Sequence, residues 1–171
     1  MEKRLQELLE DQVNKELWSA YLYLDIAEFY RAKGFDGLHS WFEHQAQEEI
    51  EHAEKFMEFL HDSDVPFRLK PIDAPVEKFD DLKAPLLFQL KHEKLVTSLI
   101  MNIYEEALKE HDHMVTRFLD WFIDEQFEEE KHSKELIDRY ELLCDSGLGL
   151  AKFDKELKER KQEISAAISS L

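Results

Sequence analysis

A single cysteine, Cys144, leaves this 171-residue chain without an intramolecular disulfide or a CxxC metal knuckle. That excludes a stapled mini-fold and a cysteine-based zinc ribbon. Apolar runs are short, and none approaches the length needed to cross a bilayer. The N-terminal MEKRLQELLEDQ is charged and amphipathic and has no apolar signal core, so a soluble, cytoplasmic protein is expected. Cationic side chains are also few. With 22 Lys and Arg against 39 Asp and Glu, the net charge of -17 argues against nucleic acid or an anionic membrane as partner. Cations are the natural ligands of such a chain.

Glycine and proline are scarce too, four of each, and they fall in three clusters. These are Gly34 and Gly37, then Pro66, Pro71, Pro75 and Pro85, then Gly147 and Gly149. Between them apolar residues recur at spacings of three and four with no strand-like alternation, which predicts an all-α fold. One helix from Leu86 to Ser146 would be about 90 Å long, too long for one domain. A slip in helical phase marks the break. The ladder Leu86, Gln89, Glu93, Val96, Ile100, Ile103, Ala107 gives way to Val115, Leu119, Phe122, which predicts a turn at His111 to His113 with Asp112 as N-cap.

The expected helices are A at about 3–33, B at 37–62, C at 82–110, D at 113–144 and a short E at 152–168, in one domain spanning 1–171. Short A–B and C–D connections make those pairs antiparallel. B and C are separated by roughly 20 irregular residues, which reach about 65 Å when extended, enough to run the length of a bundle and make B and C parallel. The expectation is a four-helix bundle with one long crossover.

The apolar stripes of these helices share an anomaly. Helix A reads Leu5, Leu9, Gln12, Glu16, Ser19, Tyr23, Ile26, Tyr30, and B reads Leu38, Phe42, Gln45, Glu49, His52, Phe56, Leu60. C contributes Gln89, Glu93, Val96 and D contributes Phe122, Gln126, Glu129, Ser133, Leu136. Each stripe carries a carboxylate near its middle. Glu16 lies 18 residues before Gly34 and His52 lies 18 after it, while Glu93 and Glu129 lie 18 before and after His111. At 1.5 Å per residue each sits about 27 Å from its turn, so the four carboxylates are expected to converge at mid-bundle.

Four carboxylates in an apolar interior repel one another and protonate unless positive charge lies between them. Two divalent ions balance Glu16, Glu49, Glu93 and Glu129, and a mixed carboxylate and imidazole shell suits iron, with manganese as the alternative. A closed structural zinc site does not match so oxygen-rich a set. A hydrogen-bonded polar layer that only fixes bundle register would leave the charge unbalanced.

The segments NKELWSAYLY, QAQEEIEHAEKF, KHEKL, FLDWFIDEQFEEEK and KFDKEL together resemble the ferritin family, most closely its haem-free prokaryotic members. The resemblance implies a ferroxidase, oxidising Fe(II) with dioxygen or hydrogen peroxide and storing ferric mineral in a hollow homo-oligomeric shell of twenty-four subunits. It implies a first iron subsite of Glu16, Glu49 and His52 and a second of Glu49, Glu93 and Glu129, with Glu49 bridging. Gln126 matches a glutamine near the centre, and Tyr23 matches a tyrosine that donates an electron or a hydrogen bond to it. Glu48, Glu51 and Glu54 match an inward-facing row that favours mineral nucleation. Glu125 and Glu128, with Glu48 and Glu129, resemble a third iron site. No haem is implied, because the position of the haem-ligating methionine of bacterioferritins is Ile50. Thr116 and Leu119 align with acidic threefold-pore positions of animal ferritins, which puts that route for iron in question. Two alternatives stand beside this reading. A rubrerythrin-like peroxidase usually carries a second Glu-x-x-His on helix D, where this chain has Gln126-x-x-Glu129, and a non-catalytic helical scaffold would bind no iron.

Overall fold

A computed structural model of the protein describes residues 1–168, with side chains as far as Glu159. Five helices follow one another: α1 Lys3–Ala32, α2 Asp36–Asp62, α3 Ala84–Lys109, α4 His113–Leu143 and α5 Gly147–Ile168. There is no strand among the described residues. The first four helices agree with the periodicity to within two residues at either end. Every residue of the stripes on α1 to α4 is buried.

Local chemistry sets the turns. Gly34 adopts φ 81°, in the left-handed region that glycine enters without a side-chain clash, and it lets α1 fold back into α2. At the phase slip His111 takes φ 55°, and the Asp112 side chain accepts from the backbone N–H of Met114 and Val115, both at 3.2 Å. The crossover runs along α1. Lys70 pairs with Asp11 near one end of that helix, and the Tyr30 hydroxyl donates to the carbonyl of Leu82 at 2.7 Å near the other. Asp81 then accepts from the N–H groups of Lys83 and Ala84, both at 2.8 Å, and starts α3.

Helix α5 begins five residues before the expected start. Gly147 and Gly149 read as breakers in the sequence, but a Cβ on Gly149 would sit 1.7 Å from the carbonyl oxygen of Leu143. Glycine here permits a tight junction inside helical structure. Ser146 supplies the cap, its Oγ accepting from Gly149 N–H at 3.2 Å. Helix α5 then packs on the start of α2. Asp154 Oδ1 accepts from Leu38 N–H at 2.9 Å, Lys158 pairs with Asp36 at 2.9 Å, and Phe153 is 1 % exposed in the core. A Cβ on Gly37 would lie 1.7 Å from the Asp154 backbone oxygen, so α5 docks only where α2 has no side chain. Gly37→Ala is expected to lift α5 off the bundle and destabilise the protein by roughly 1–3 kcal/mol or more. An unchanged urea midpoint in that variant would refute the docking.

The core is divided. One apolar cluster gathers Leu5, Leu9, Phe56, Leu60, Ile100 and Phe122 with their neighbours. The other gathers Leu22, Ile26, Tyr30, Phe42, Leu86 and Leu136 with theirs. Polar side chains fill the layer between them. Two hydrophobic ends clamp a charged middle, and burial at the ends offsets the cost of that middle.

Candidate metal centre

The middle layer is built from all four bundle helices. Glu16 comes from α1, Glu49 and His52 from adjacent turns of α2, Glu93 from α3, and Gln126 and Glu129 from adjacent turns of α4. None is more than 4 % exposed. A spacing of three or four residues brings two such side chains onto one helical face, which is why α2 and α4 each present a pair.

Glu16, Glu49 and His52 each offer a ligand atom within 4.8 Å of the others. The carboxylates of Glu93 and Glu129 stand beside this group, outside that distance set, and both raise the Glu49 carboxyl. Gln12 donates to Glu16 Oε1 at 2.8 Å. Glu93 is held at both oxygens, by the Tyr23 hydroxyl and by the Gln126 amide at 3.2 Å. Thr97 donates to the Glu93 carbonyl at 3.0 Å and links α3 to Glu130 at 2.7 Å. Trp121 meets the His52 ring edge to face at 5.6 Å and carries the Lys55 ammonium on its own face.

The electrostatics are those of carboxyl groups crowded together in a buried layer. Burial first, then the charges of Glu93 and Glu16, push the Glu49 carboxyl well above the carboxylate range. Burial raises Glu16 as well, and the nearby His52 opposes it. Burial lifts Glu93 to about 7, and burial with the charges of Glu93, Glu48 and Glu125 lifts Glu129 to about 9. Tyr23 is raised well above the usual phenol range, by burial and by Glu93, and stays protonated as a donor. Glu16 Oε2, Glu49 Oε2 and Glu129 Oε2 are buried without any hydrogen-bond partner. Two buried carboxylate oxygens with no partner, and a third that faces only the His52 imidazole at 3.4 Å, fit a divalent cation set and nothing apolar.

The outer acids are placed less uniformly. Glu125 reaches to 4.0 Å from His52 Nε2. Burial raises Glu48, but hydrogen bonds from His44 and Gln45 override it and keep its carboxyl below the usual range. Glu128 is half exposed and pairs with Lys131 and His132, away from the buried group. Glu51 and Glu54 are exposed, with Glu51 accepting from Gln47 at 3.3 Å. Leu119 is fully buried and Thr116 nearly so, because the first turns of α4 pack that face into the core.

Sequence reasoning passed over one regularity. Each bundle helix carries a glutamine one turn before its carboxylate: Gln12 before Glu16, Gln45 before Glu49, Gln89 before Glu93 and Gln126 before Glu129. All four are buried. That fourfold spacing was the available signal for a set of amides supporting the carboxylates. Trp121 left no comparable mark, since one aromatic beside a core stripe is ordinary.

A long-crossover four-helix bundle with a buried carboxylate and imidazole cluster at mid-height defines the ferritin-like class of helical proteins. The ferritin-like domain family matches residues 6–143. A probable bacterial non-heme ferritin-like protein of Haemophilus influenzae is 33% identical over 150 residues, covering 88% of this chain and 91% of that protein. The bacterial non-heme ferritin of Campylobacter jejuni is 30% identical over 158 residues, covering 92% and 95%. Among solved structures, an open pore ferritin of the archaeon Archaeoglobus fulgidus superposes with a TM-score of 0.89 at 32% identity, covering 92% of this chain and 96% of that one. The chain belongs to the ferritin family, among its prokaryotic non-haem members.

Proposed function

We propose that this protein is an iron-storage ferritin that oxidises Fe(II) at the buried centre of each subunit and keeps the ferric product inside a hollow homo-oligomer of twenty-four subunits. The observation that carries the reading is the set of buried oxygens on Glu16, Glu49 and Glu129 that have no hydrogen-bond partner, with His52 beside them. Iron is the substrate. One Fe(II) is taken between Glu16, Glu49 and His52, and the second between Glu49, Glu93 and Glu129. Binding displaces the protons that burial holds on Glu49, Glu93 and Glu129. Each ion gives one electron to dioxygen, which takes up two protons and becomes hydrogen peroxide. Where peroxide is the oxidant, two electrons and two protons turn it into two waters. Tyr23 and Gln126 hold Glu93 by hydrogen bonds, so this ligand needs no reorganisation when iron arrives.

The two subsites differ in donor chemistry. Imidazole binds Fe(II) better than a further carboxylate does, so the His52 subsite fills first, and the all-carboxylate subsite exchanges its ion. Glu125 and Glu48, on the same side as Glu129, receive the ferric ion. Glu129→Ala is expected to bind one Fe(II) per subunit under argon and to lose fast paired oxidation on mixing with air. Anaerobic titration followed by stopped-flow absorbance measures both. Two ions of equal affinity in the parent protein, or parent-like oxidation by Glu129→Ala, would contradict the proposal. A stable monomer in sedimentation would contradict the shell.

A further inference from the structure

The buried amides of Gln45 and Gln89 belong to no subsite, yet they form the layer next to one. Helices α2 and α3 are parallel and α4 runs against them. Gln45, Gln89 and Ser133 therefore each lie one turn from Glu49, Glu93 and Glu129 towards the same end of the bundle. Phe42, Leu86 and Leu136 close the next turn with apolar side chains. Gln45 Nε2 donates to Glu48 Oε2 at 2.6 Å, and the same side chain lies close enough to Glu129 to lower its carboxyl. Gln45 Oε1 is occupied by the Gln89 amide N–H.

This arrangement fixes which way Gln45 faces. Turned over, its carbonyl oxygen would meet the Glu48 carboxylate and its NH2 would meet the NH2 of Gln89, so both hydrogen bonds would become repulsions. Gln89 thus keeps the Gln45 NH2 pointed at Glu48. Packing alone does not account for the layer. Gln89 Oε1 and Ser133 Oγ are buried without partners, and an apolar layer would avoid that cost. Glu129 is 4 % exposed, whereas the Glu48 side chain is 33 % exposed. Gln45 lies between a buried carboxylate and one that reaches solvent.

We propose that Gln45, oriented by Gln89, is a positioning residue that holds Glu48 beside Glu129 so that an ion leaving the second subsite passes directly to Glu48. The inference rests on the reading of Glu129 as a ligand of that subsite. Neither amide substitution removes one of the five residues that would bind the ion pair, so uptake and the first oxidation should be spared. Vacating the centre should not be.

The test is a pair of Fe(II) additions, two per subunit each, followed by stopped flow at increasing delays. For Gln45→Leu the first addition is expected to oxidise within about twofold of the parent rate. Recovery of that rate at the second addition should take at least about ten times longer, the usual scale for losing a residue that supports a metal ligand. Gln89→Leu should show a smaller delay of the same kind. The double variant should be no worse than Gln45→Leu alone, because Gln89 acts through Gln45. Gln45→Met serves if leucine prevents folding. Unchanged recovery, additive delays, or equal slowing of both additions would overturn the relay. Calorimetric titration with redox-inert zinc separates this inference from the ferroxidase reading. In Gln45→Leu the strong ions should bind as in the parent, and the weaker ion associated with Glu48 should lose about tenfold in affinity. If the parent oxidises no iron, the ferroxidase reading fails and the zinc result decides the relay. Parent-like zinc binding in Gln45→Leu overturns it.

Discussion

Glu49→Ala is expected to abolish fast Fe(II) oxidation, with a loss of at least about 100-fold, the upper range for removing even a supporting group from a metal site. The reason is position. Glu49 is buried between Glu16 and His52 on one side and Glu93 and Glu129 on the other, and its carboxyl responds to all three carboxylates. On the proposed assignment, removing it takes a ligand from both subsites, whereas any other substitution takes one. Loss of activity by itself would not distinguish a missing ligand from a damaged fold, so Glu49→Gln is the companion variant. It keeps the volume and the hydrogen-bonding capacity of the protonated carboxyl. The metal-free Glu49→Gln protein should melt no lower than the parent, because a group that burial already holds neutral is replaced by one that is always neutral. Its melting temperature should no longer rise when Fe(II) or zinc is added under argon. A Glu49→Gln protein that gains the parent's full metal-dependent stabilisation would show that the ions bind elsewhere.

The second large effect is on pH dependence. The carboxyls of Glu93 and Glu129 sit at about 7 and about 9 in the folded protein, against 4.5 for the unconstrained group. Between 4.5 and those values the folded state holds protons that the unfolded state has released, so stability falls as pH rises. The favourable contribution is complete below pH 4.5 and is lost for Glu93 by about pH 7 and for Glu129 by about pH 9. Each group contributes at most about 1.4 kcal/mol per pH unit in its window. Burial raises Glu16 and Glu49 in the same direction. The metal-free protein should therefore melt progressively lower from pH 5 to 9. The ion-loaded protein should not, since the cations replace the protons, and loading at neutral pH should release protons into an unbuffered solution. Glu129→Gln should flatten the upper part of the metal-free curve. A metal-free protein that becomes more stable between pH 5 and 9 would contradict the buried-carboxylate electrostatics.

Much of this was legible in the chain because helical periodicity is a local property. The stripes through Glu16, Glu49, Glu93 and Glu129 follow from spacings of three and four, and every stripe residue is buried. The slip at His111 was visible for the same reason, since a change of phase needs only neighbouring residues. The start of α5 was misread because glycine serves both as a breaker and as a helical residue at a close approach. Only the position of Leu143 against Gly149 separates the two. The outer acids were harder still. Glu48, Glu125 and Glu128 look alike in sequence, yet Glu48 is drawn in by Gln45, Glu125 approaches His52, and Glu128 turns to Lys131.

The sequence by itself determined that four amphipathic helices form and that each buries one carboxylate 15 to 18 residues from its turn. Periodicity and chain length along one helix decide both. Which amide meets which carboxylate was decided only when the helices packed. Gln12 donates to its own helix neighbour Glu16, Gln126 crosses to Glu93, and Gln45 is met by Gln89 from another helix. Such pairings depend on relative height and direction of separate helices. Residues 44 positions apart in the chain come together because the long crossover makes α2 and α3 parallel; the crossover was legible in the sequence, but the register that sets Gln89 against Gln45 was not.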